Sequence, residues 1–157
     1  MKMLYVLAVL MLLAAMLVFL PRKSVHAERV VRTDPATVWS LITDTDSYGE
    51  WNPIFVEVSG RFDAGETVKI SMRTSDGGIA PVEASVEEVV PERLLRQQAG
   101  IPGILMAYHR WELEPHPKGT LVTQHEDYRG AAVLVWSPAY VQVLYEEGLE
   151  AISKRIE

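Results

Sequence analysis

The sequence predicts an α+β fold in which a curved antiparallel sheet wraps around a long carboxyl-terminal helix, preceded by one transmembrane helix. Three observations support this fold class. An uncharged apolar run occupies residues 3–20, segments of alternating polarity separated by turn residues fill residues 25–128, and helical spacing of apolar residues returns after residue 137. The chain has 157 residues, and residues 24–157 have the composition of one globular domain.

The amino-terminal segment, residues 1–23, is predicted to be a membrane anchor. Residues 3–20 contain no charge, glycine or proline, and a helix of this length extends about 27 Å, close to the thickness of a bilayer core. The alternative is a cleaved signal peptide, because small residues occur in Val25-His26-Ala27. The length of the run and the charges of Arg22 and Lys23 favour an uncleaved anchor.

The basic residues beside this segment favour a cytoplasmic position for the domain. Lys2 alone precedes the apolar run, whereas four basic residues follow it within residues 22–32, and basic flanks tend to stay on the cytoplasmic side. The sequence therefore predicts a single-pass membrane protein whose domain, residues 24–157, leans to the cytoplasmic side. Export of the domain is the alternative.

The first half of the domain is predicted to contain three strands and a short helix. Residues 25–33 are rich in β-branched residues and predict the first strand. Asp34-Pro35 then supplies an N-cap and a proline at the first helical position, so a helix is expected over residues 35–43. Further strands are expected at 54–58 and 66–74, and the latter ends at the hairpin turn signal Asp76-Gly77-Gly78.

The second half continues with strands and ends in a helix. The next strand contains Val82, and its alternation breaks at Glu88-Val89-Val90, which predicts a β-bulge. Three more strands are expected, at residues 94–98, 104–114 and 121–128. Beyond Ser137-Pro138, apolar residues fall on one helical stripe and predict a single long helix.

Charge and cysteine content exclude several classes of function. The 15 basic residues include Lys2, Arg22 and Lys23, so residues 24–157 carry 12 basic against 21 acidic side chains, a net charge of −9. A nucleic-acid partner is not expected, because binding to phosphates needs a basic face. The chain has no cysteine, which excludes disulfides, thiolate nucleophiles and cysteine-based zinc sites.

A set of short motifs, in order along the chain, resembles a known superfamily. These motifs are Ala27-Glu28-Arg29-Val30-Val31, Asp34-Pro35, Val38-Trp39, Tyr48, Trp51-Asn52-Pro53, Gly65, Pro91, His109-Arg110-Trp111-Glu112-Leu113, Gly119-Thr120, Glu126, Tyr128 and Gly130. Together they resemble the SRPBCC or START-like superfamily, and more narrowly its polyketide cyclase/dehydrase and lipid-transport branch. Some members resemble this chain in having one amino-terminal membrane helix that ends as in Leu20-Pro21-Arg22-Lys23.

The resemblance implies the helix-grip architecture, in which the long terminal helix closes a deep apolar cavity against the sheet. It implies no single reaction, because the superfamily includes lipid carriers, hormone receptors, aromatase/cyclases and co-chaperones. Function has to be argued from the site itself.

The last predicted hairpin places a histidine opposite a glutamate. If His109, Trp111 and Leu113 face inward, a loop at residues 116–119 pairs His109 with Glu126, Trp111 with Gln124, and Leu113 with Val122. In an apolar pocket, His109 and Glu126 would form an ion pair or share a proton, and could act as general acid and base. Two other interpretations stay open: the pair orients a ligand without chemistry, or the two groups satisfy each other inside the core.

Further candidate ligand-binding residues are aromatic, polar or flexible side chains expected near the inner face. They are Trp51, Met72, Trp111, Gln124, Tyr128 and Tyr108. No metal site is expected, because the four histidines show no ligand spacing. No cofactor is expected either, because the sequence has no glycine-rich phosphate loop.

These features favour a membrane-tethered module that binds or carries a lipophilic small molecule such as a lipid, an isoprenoid or a polyketide-like aromatic. The membrane partner would be engaged through residues 3–20. An enzyme of the cyclase/dehydrase type, using His109 and Glu126, is the alternative, with the balance leaning away from catalysis. A structural or interaction domain with a collapsed cavity is the third interpretation. A cavity below about 300 Å³ would remove most of the support for the two small-molecule interpretations.

Overall fold

The computed structural model describes residues 2–19 and 22–156. It contains four α-helices and seven strands in these residues, with short 3-10 turns at Thr45–Ser47 and Ala131–Leu134. The helices are α1 (Lys2–Phe19), α2 (Pro35–Thr43), α3 (Tyr48–Trp51) and α4 (Ala139–Ile156). The strands are β1 (Arg22–Val31), β2 (Phe55–Ser59), β3 (Thr67–Arg73), β4 (Ile79–Val90), β5 (Leu94–Ile101), β6 (Leu105–His116) and β7 (Gly119–Arg129).

All seven strands form one antiparallel sheet in the order β1-β7-β6-β5-β4-β3-β2. The sheet curves around α4, which is the predicted helix-grip arrangement. Asp34 begins α2 as expected, because its side chain accepts a hydrogen bond from the Thr37 backbone N–H at 2.9 Å, and Pro35 is the first helical residue.

The register of the last hairpin agrees with the prediction. His109 pairs with Glu126, Trp111 with Gln124, and Leu113 with Val122. The connecting loop is shorter than expected, since His116 and Gly119 already pair with each other. The predicted bulge in β4 is also present as a register shift between Val86 and Glu88.

The hydrophobic core lies between the sheet and the helices α2 and α4. Tyr145, Leu149 and Ile152 of α4 are fully buried, as are Val38 and Ile42 of α2. Because these residues recur at helical spacing, each helix presents one apolar face to the concave side of the sheet. This packing holds α4 against β1, with the Tyr145 hydroxyl reaching Glu126 on β7.

The predicted transmembrane helix is wrong. Among residues 2–19 and 22–156, no helix is both long enough and apolar enough to cross a bilayer. α1 begins at the charged Lys2, and residues 3–19 extend about 25 Å, which is less than the roughly 30 Å of a bilayer core. Leu20, the last residue of the predicted span, lies outside the described residues.

The predicted single-pass membrane localisation is wrong for the same reason. Two residues that the sequence assigned to the anchor belong to the sheet instead, because β1 begins at Arg22. The Lys23 ammonium donates a hydrogen bond to the backbone oxygen of Trp136 at 2.5 Å. This contact ties the start of β1 to the segment before α4.

Candidate functional site

A cavity of about 180 Å³ lies between the concave face of the sheet and the amino-terminal part of α4. Most of its wall is apolar, with Phe55, Ile70, Met72, Val82, Ala84, Ala99, Leu105, Ala107, Trp136 and Val141 as contributors. The polar residues on its wall are Gln97, Gln98, His109, Glu126, Tyr128 and Tyr140. A mostly apolar cavity with a few polar groups is typical of a small-molecule site.

Three adjacent strands place a row of polar residues across the floor of this cavity. Gln97 of β5 pairs with His109 of β6, and His109 pairs with Glu126 of β7. Residues paired directly across neighbouring antiparallel strands project to the same face of a sheet. The pairing therefore brings an amide, an imidazole and a carboxyl group to the inner face.

Both ring nitrogens of His109 are engaged by glutamine side chains. Gln124 Nε2 lies 3.1 Å from His109 Nε2, and His109 Nδ1 lies 3.1 Å from Gln97 Oε1. An amide nitrogen can only donate, so His109 Nε2 accepts and its proton is on Nδ1, which donates to Gln97. The imidazole is thus held as one neutral tautomer.

The surroundings of His109 disfavour its charged form. The side chain is buried, and the rings of Phe55, Trp111 and Tyr145 meet it edge-on at centroid distances of 5.7, 5.7 and 5.8 Å. Burial, reinforced by the positive charges of His125 and Arg110, lowers the pKa of His109 to about 3. His109 is therefore neutral at physiological pH.

Glu126 has a separate set of partners. Its Oε2 accepts hydrogen bonds from the Tyr128 hydroxyl at 2.5 Å and from the Tyr145 hydroxyl at 2.6 Å. Burial raises the pKa of the Glu126 carboxyl, and the two phenol hydrogen bonds oppose part of that increase. The three residues form a carboxyl group clamped by two phenols at one side of the cavity.

The structure therefore brings His109 and Glu126 side by side without joining them. In the described residues, His109 bonds to Gln97 and Gln124, while Glu126 bonds to Tyr128 and Tyr145. The proton sharing that we considered from the sequence would require one of these bonds to break. The polar floor of the cavity consists of two neighbouring networks.

The other candidate residues divide between the cavity and its surroundings. Met72 and Tyr128 line the cavity together with His109 and Glu126, whereas Trp51, Trp111, Gln124 and Tyr108 are not on its wall. Trp51 packs on Tyr48, with a distance of 5.0 Å between ring centroids, and Trp111 is 1% exposed in the core. Tyr108 projects to the other face, where the Arg129 guanidinium lies 4.9 Å from its ring centroid.

Sequence reasoning missed several residues of the site, among them Gln97, Tyr145, Trp136 and Tyr140. The sequence pattern could have identified two of them. Gln97 lies in a predicted strand next to the strand of His109, so extending the register argument by one strand would have placed it on the same face. Tyr145 lies on the apolar stripe of the terminal helix, which had to face the sheet.

Residues 22–157 match the sequence model of the family described as polyketide cyclase / dehydrase and lipid transport, and the chain belongs to this family. This match confirms the resemblance to the polyketide cyclase/dehydrase and lipid-transport branch, whereas the amino-terminal membrane helix of some members is not supported in the described residues. No curated protein matches the sequence significantly.

Solved structures share the fold at low sequence identity. Protein MLL2253 from Mesorhizobium loti has a TM-score of 0.67 at 19% identity, with 86% of this chain and 99% of that chain covered. Protein CV1439 from Chromobacterium violaceum has a TM-score of 0.71 at 16% identity, with coverage of 85% and 97%. The di-domain ARO/CYC BexL, from the BE-7585A biosynthetic pathway, has a TM-score of 0.71 at 13% identity, covering 87% of this chain and 50% of its own.

Proposed function

We propose that this protein binds and carries a small lipophilic molecule in the cavity between the sheet and α4. The observation that carries this proposal is the cavity itself, whose wall is mostly apolar and includes a row of three polar residues, Gln97, His109 and Glu126, across β5, β6 and β7. An apolar wall favours uptake of an apolar body from water, while a few polar groups fix its orientation. Membership of a family described by lipid transport as well as cyclisation supports a binding role.

The cavity volume restricts the size of the ligand. At about 180 Å³ it falls below the roughly 300 Å³ expected of a drug-sized site, which counts against the lipid, isoprenoid and polyketide-like ligands considered from the sequence. Apolar cavities of about 150 Å³ take up benzene. We therefore propose a ligand with one ring and short substituents.

Catalysis is the second candidate, favoured by the position of Glu126. A carboxyl group with a raised pKa on the wall of a small-molecule cavity is suited to general acid-base chemistry. His109 is a poorer candidate than the sequence suggested, because both of its ring nitrogens already have partners. A cyclase-type reaction would therefore depend on Glu126 and on the phenols of Tyr128 and Tyr145.

The binding proposal is tested with α-methylstyrene, an uncharged molecule with one ring, and the full chain. At ten times its Kd we expect the hydrocarbon to raise the free energy of unfolding by about 1.4 kcal/mol. We also expect it to shift the methyl resonance of Met72, whose side chain lines the cavity. Urea denaturation and ¹³C-methyl NMR measure the two effects.

Two matched variants locate the binding site. Ala107→Leu adds three carbons to the cavity wall and should weaken binding by at least tenfold. Ala64→Leu makes the same change at an exposed position and should bind like the wild-type protein. Absence of binding to the wild-type chain, or equal binding by the two variants, would contradict the proposal and favour a structural domain.

Carrier and enzyme are separated by a proton-exchange measurement. A ketone probe, acetophenone, loses its methyl protons to D₂O when an acid-base group enolises it. A carrier leaves the exchange rate of bound acetophenone at its solution value. An increased rate that disappears in Glu126→Gln would favour the catalytic candidate.

A further inference from the structure

Gln97 has a buried hydrogen-bond donor with no partner. The residue is 6% exposed and lines the cavity, and its Nε2 bonds to nothing in the described part of the chain. A buried donor left unpaired costs about 1–3 kcal/mol, so such groups in folded proteins usually have a function or an additional partner. The amide nitrogen of Gln97 is therefore a candidate contact for whatever occupies the cavity.

The two neighbouring residues determine which end of the Gln97 amide is left over. Gln124 donates to His109 Nε2, which places the imidazole proton on Nδ1, and Nδ1 donates to Gln97 Oε1. Because the oxygen of Gln97 is occupied, its NH₂ group is the part without a partner. Gln124 and His109 act as positioning residues, which leave a donor and not an acceptor of Gln97 without a partner in a residue that lines the cavity.

The charge of the cavity wall sets a second condition on the ligand. No lysine or arginine occurs among the described residues that line the cavity, whereas Glu126 does. An anionic ligand would be desolvated without a counter-charge and would face this carboxyl group. The acceptor presented to Gln97 should therefore belong to a neutral molecule.

We propose that the cavity selects a neutral carbonyl compound, whose oxygen accepts a hydrogen bond from Gln97 Nε2 while its single ring packs against the apolar wall. This inference rests on the proposed binding function and adds the chemical class of the ligand. It makes Gln97 the residue that determines specificity.

The test compares three probes of similar shape in binding to the full chain. Acetophenone carries a carbonyl group, α-methylstyrene replaces the carbonyl oxygen by a methylene group, and benzoate replaces the methyl ketone by a carboxylate. We expect acetophenone to bind about tenfold more tightly than α-methylstyrene, the effect of one hydrogen bond to a buried donor. Benzoate should bind at least tenfold more weakly than acetophenone. Isothermal titration calorimetry measures all three.

A variant and a matched control assign the preference to one amide. Gln97→Met retains an unbranched side chain of similar length and should bind acetophenone and α-methylstyrene equally. Gln142→Met is the control, because Gln142 is not on the cavity wall and its amide already donates to the His26 backbone oxygen at 2.7 Å, and it should retain the tenfold preference. In the wild-type protein, ¹H-¹⁵N NMR should show the Gln97 side-chain amide protons moving downfield with acetophenone and staying in place with α-methylstyrene.

The outcomes separate this inference from the function on which it rests. If α-methylstyrene binds and acetophenone binds no better, the carbonyl proposal is wrong while the binding function stands. A preference that persists in Gln97→Met, or an unmoved Gln97 amide resonance with bound acetophenone, also overturns it. If neither neutral probe binds, the proposed function itself is wrong.

Discussion

His109 is the residue around which the polar floor of the cavity is organised. Its two ring nitrogens join Gln124 on β7 to Gln97 on β5, so one side chain links three strands on their inner face. Buried networks of this kind stabilise a fold most when each member is satisfied. This network leaves one donor without a partner, the Gln97 amide nitrogen, in a residue that lines the cavity.

The low pKa of His109 makes the stability of the protein depend on pH. An unfolded histidine takes up a proton below about pH 6.5, whereas folded His109 does so only near pH 3. Between these values the unfolded chain binds more protons, so the contribution of His109 is present above pH 6.5 and is lost as the pH falls. The free energy of unfolding should decrease by up to about 1.4 kcal/mol per pH unit from this residue.

The measurement is urea denaturation at pH 6.5 and pH 5.0. The free energy of unfolding of His109→Gln should decrease less over this interval than that of the wild-type protein, with a difference of up to about 2 kcal/mol. Leu113→Ala, which weakens the core without removing a titratable group, is the control and should retain the wild-type slope. The opposite contribution of Glu126 is common to all three proteins and cancels in the comparison. Equal slopes in all three would contradict the low pKa of His109.

Residues that pair across neighbouring strands can be predicted from the sequence more reliably than the hydrogen bonds that their side chains form. The period of two in a strand and the length of the hairpin loop were enough to place His109 opposite Glu126. The partners that these side chains choose depend on their rotamers and on residues from β5 and α4. Gln97 and Tyr145 come from those elements, and the register of one hairpin contains no information about them.

The position of α4 depends on a close approach at Gly148. This buried helical glycine lies over Pro53 and Gln124, and a Cβ atom added to it would lie 3.6 Å from Pro53 Cδ and 4.0 Å from Gln124 Oε1. These are ordinary van der Waals distances, so one methyl group fits. The backbone conformation at Gly148 does not require glycine, because its φ does not lie in the left-handed region.

Gly148→Ala should therefore stabilise the protein by about 0.5–1 kcal/mol, the usual gain when alanine replaces glycine inside a helix. The contrasting site is Gly119, which has a φ of 137° and whose added Cβ would lie 2.1 Å from the Val31 backbone oxygen. Gly119→Ala should destabilise the protein by several kcal/mol. Urea denaturation at pH 7 measures both, and destabilisation by Gly148→Ala would show that α4 packs more tightly than described.

The elements themselves were largely predictable, since the strands carry alternating patterns and α2 has both an N-cap and a proline. The residues at which the elements begin and end were less predictable. β1 begins three residues before the predicted strand, at Arg22, because its pairing with Arg129 on β7 extends it beyond the region rich in β-branched residues. For α1, hydrophobicity alone suggested a membrane span, and the described helix does not meet the length and apolarity that a span requires.

At the scale of the whole molecule, the second half of α4 covers a close-packed core and the first half covers the cavity. Leu149 and Ile152, in the second half of α4, are 1% and 0% exposed in the core, whereas Tyr140 and Val141, in the first half, line the cavity. A hollow region loses dispersion contacts relative to a close-packed one. The first half of α4 should therefore open more readily than the second half.

Hydrogen exchange tests this difference along α4. Backbone amides of residues 141–145 should exchange at least tenfold faster than those of residues 149–153, because local opening is easier where fewer buried contacts are lost. Saturation with α-methylstyrene should slow the first group and leave the second unchanged. Uniform exchange along α4, in the free and the saturated protein, would contradict the division into two halves.

The pairing of β1 with β7 also has a consequence for biosynthesis. Val31 pairs with Thr120, so the first strand of the sheet has to wait for about 90 further residues before its partner leaves the ribosome. At typical translation rates this interval is roughly 5 to 20 seconds. During it, the buried side chains of β1, such as Val25 and Val31, have no sheet to join. The apolar side chains of β1 therefore stay unpaired in the nascent chain until β7 has been synthesised, long after their own strand is complete.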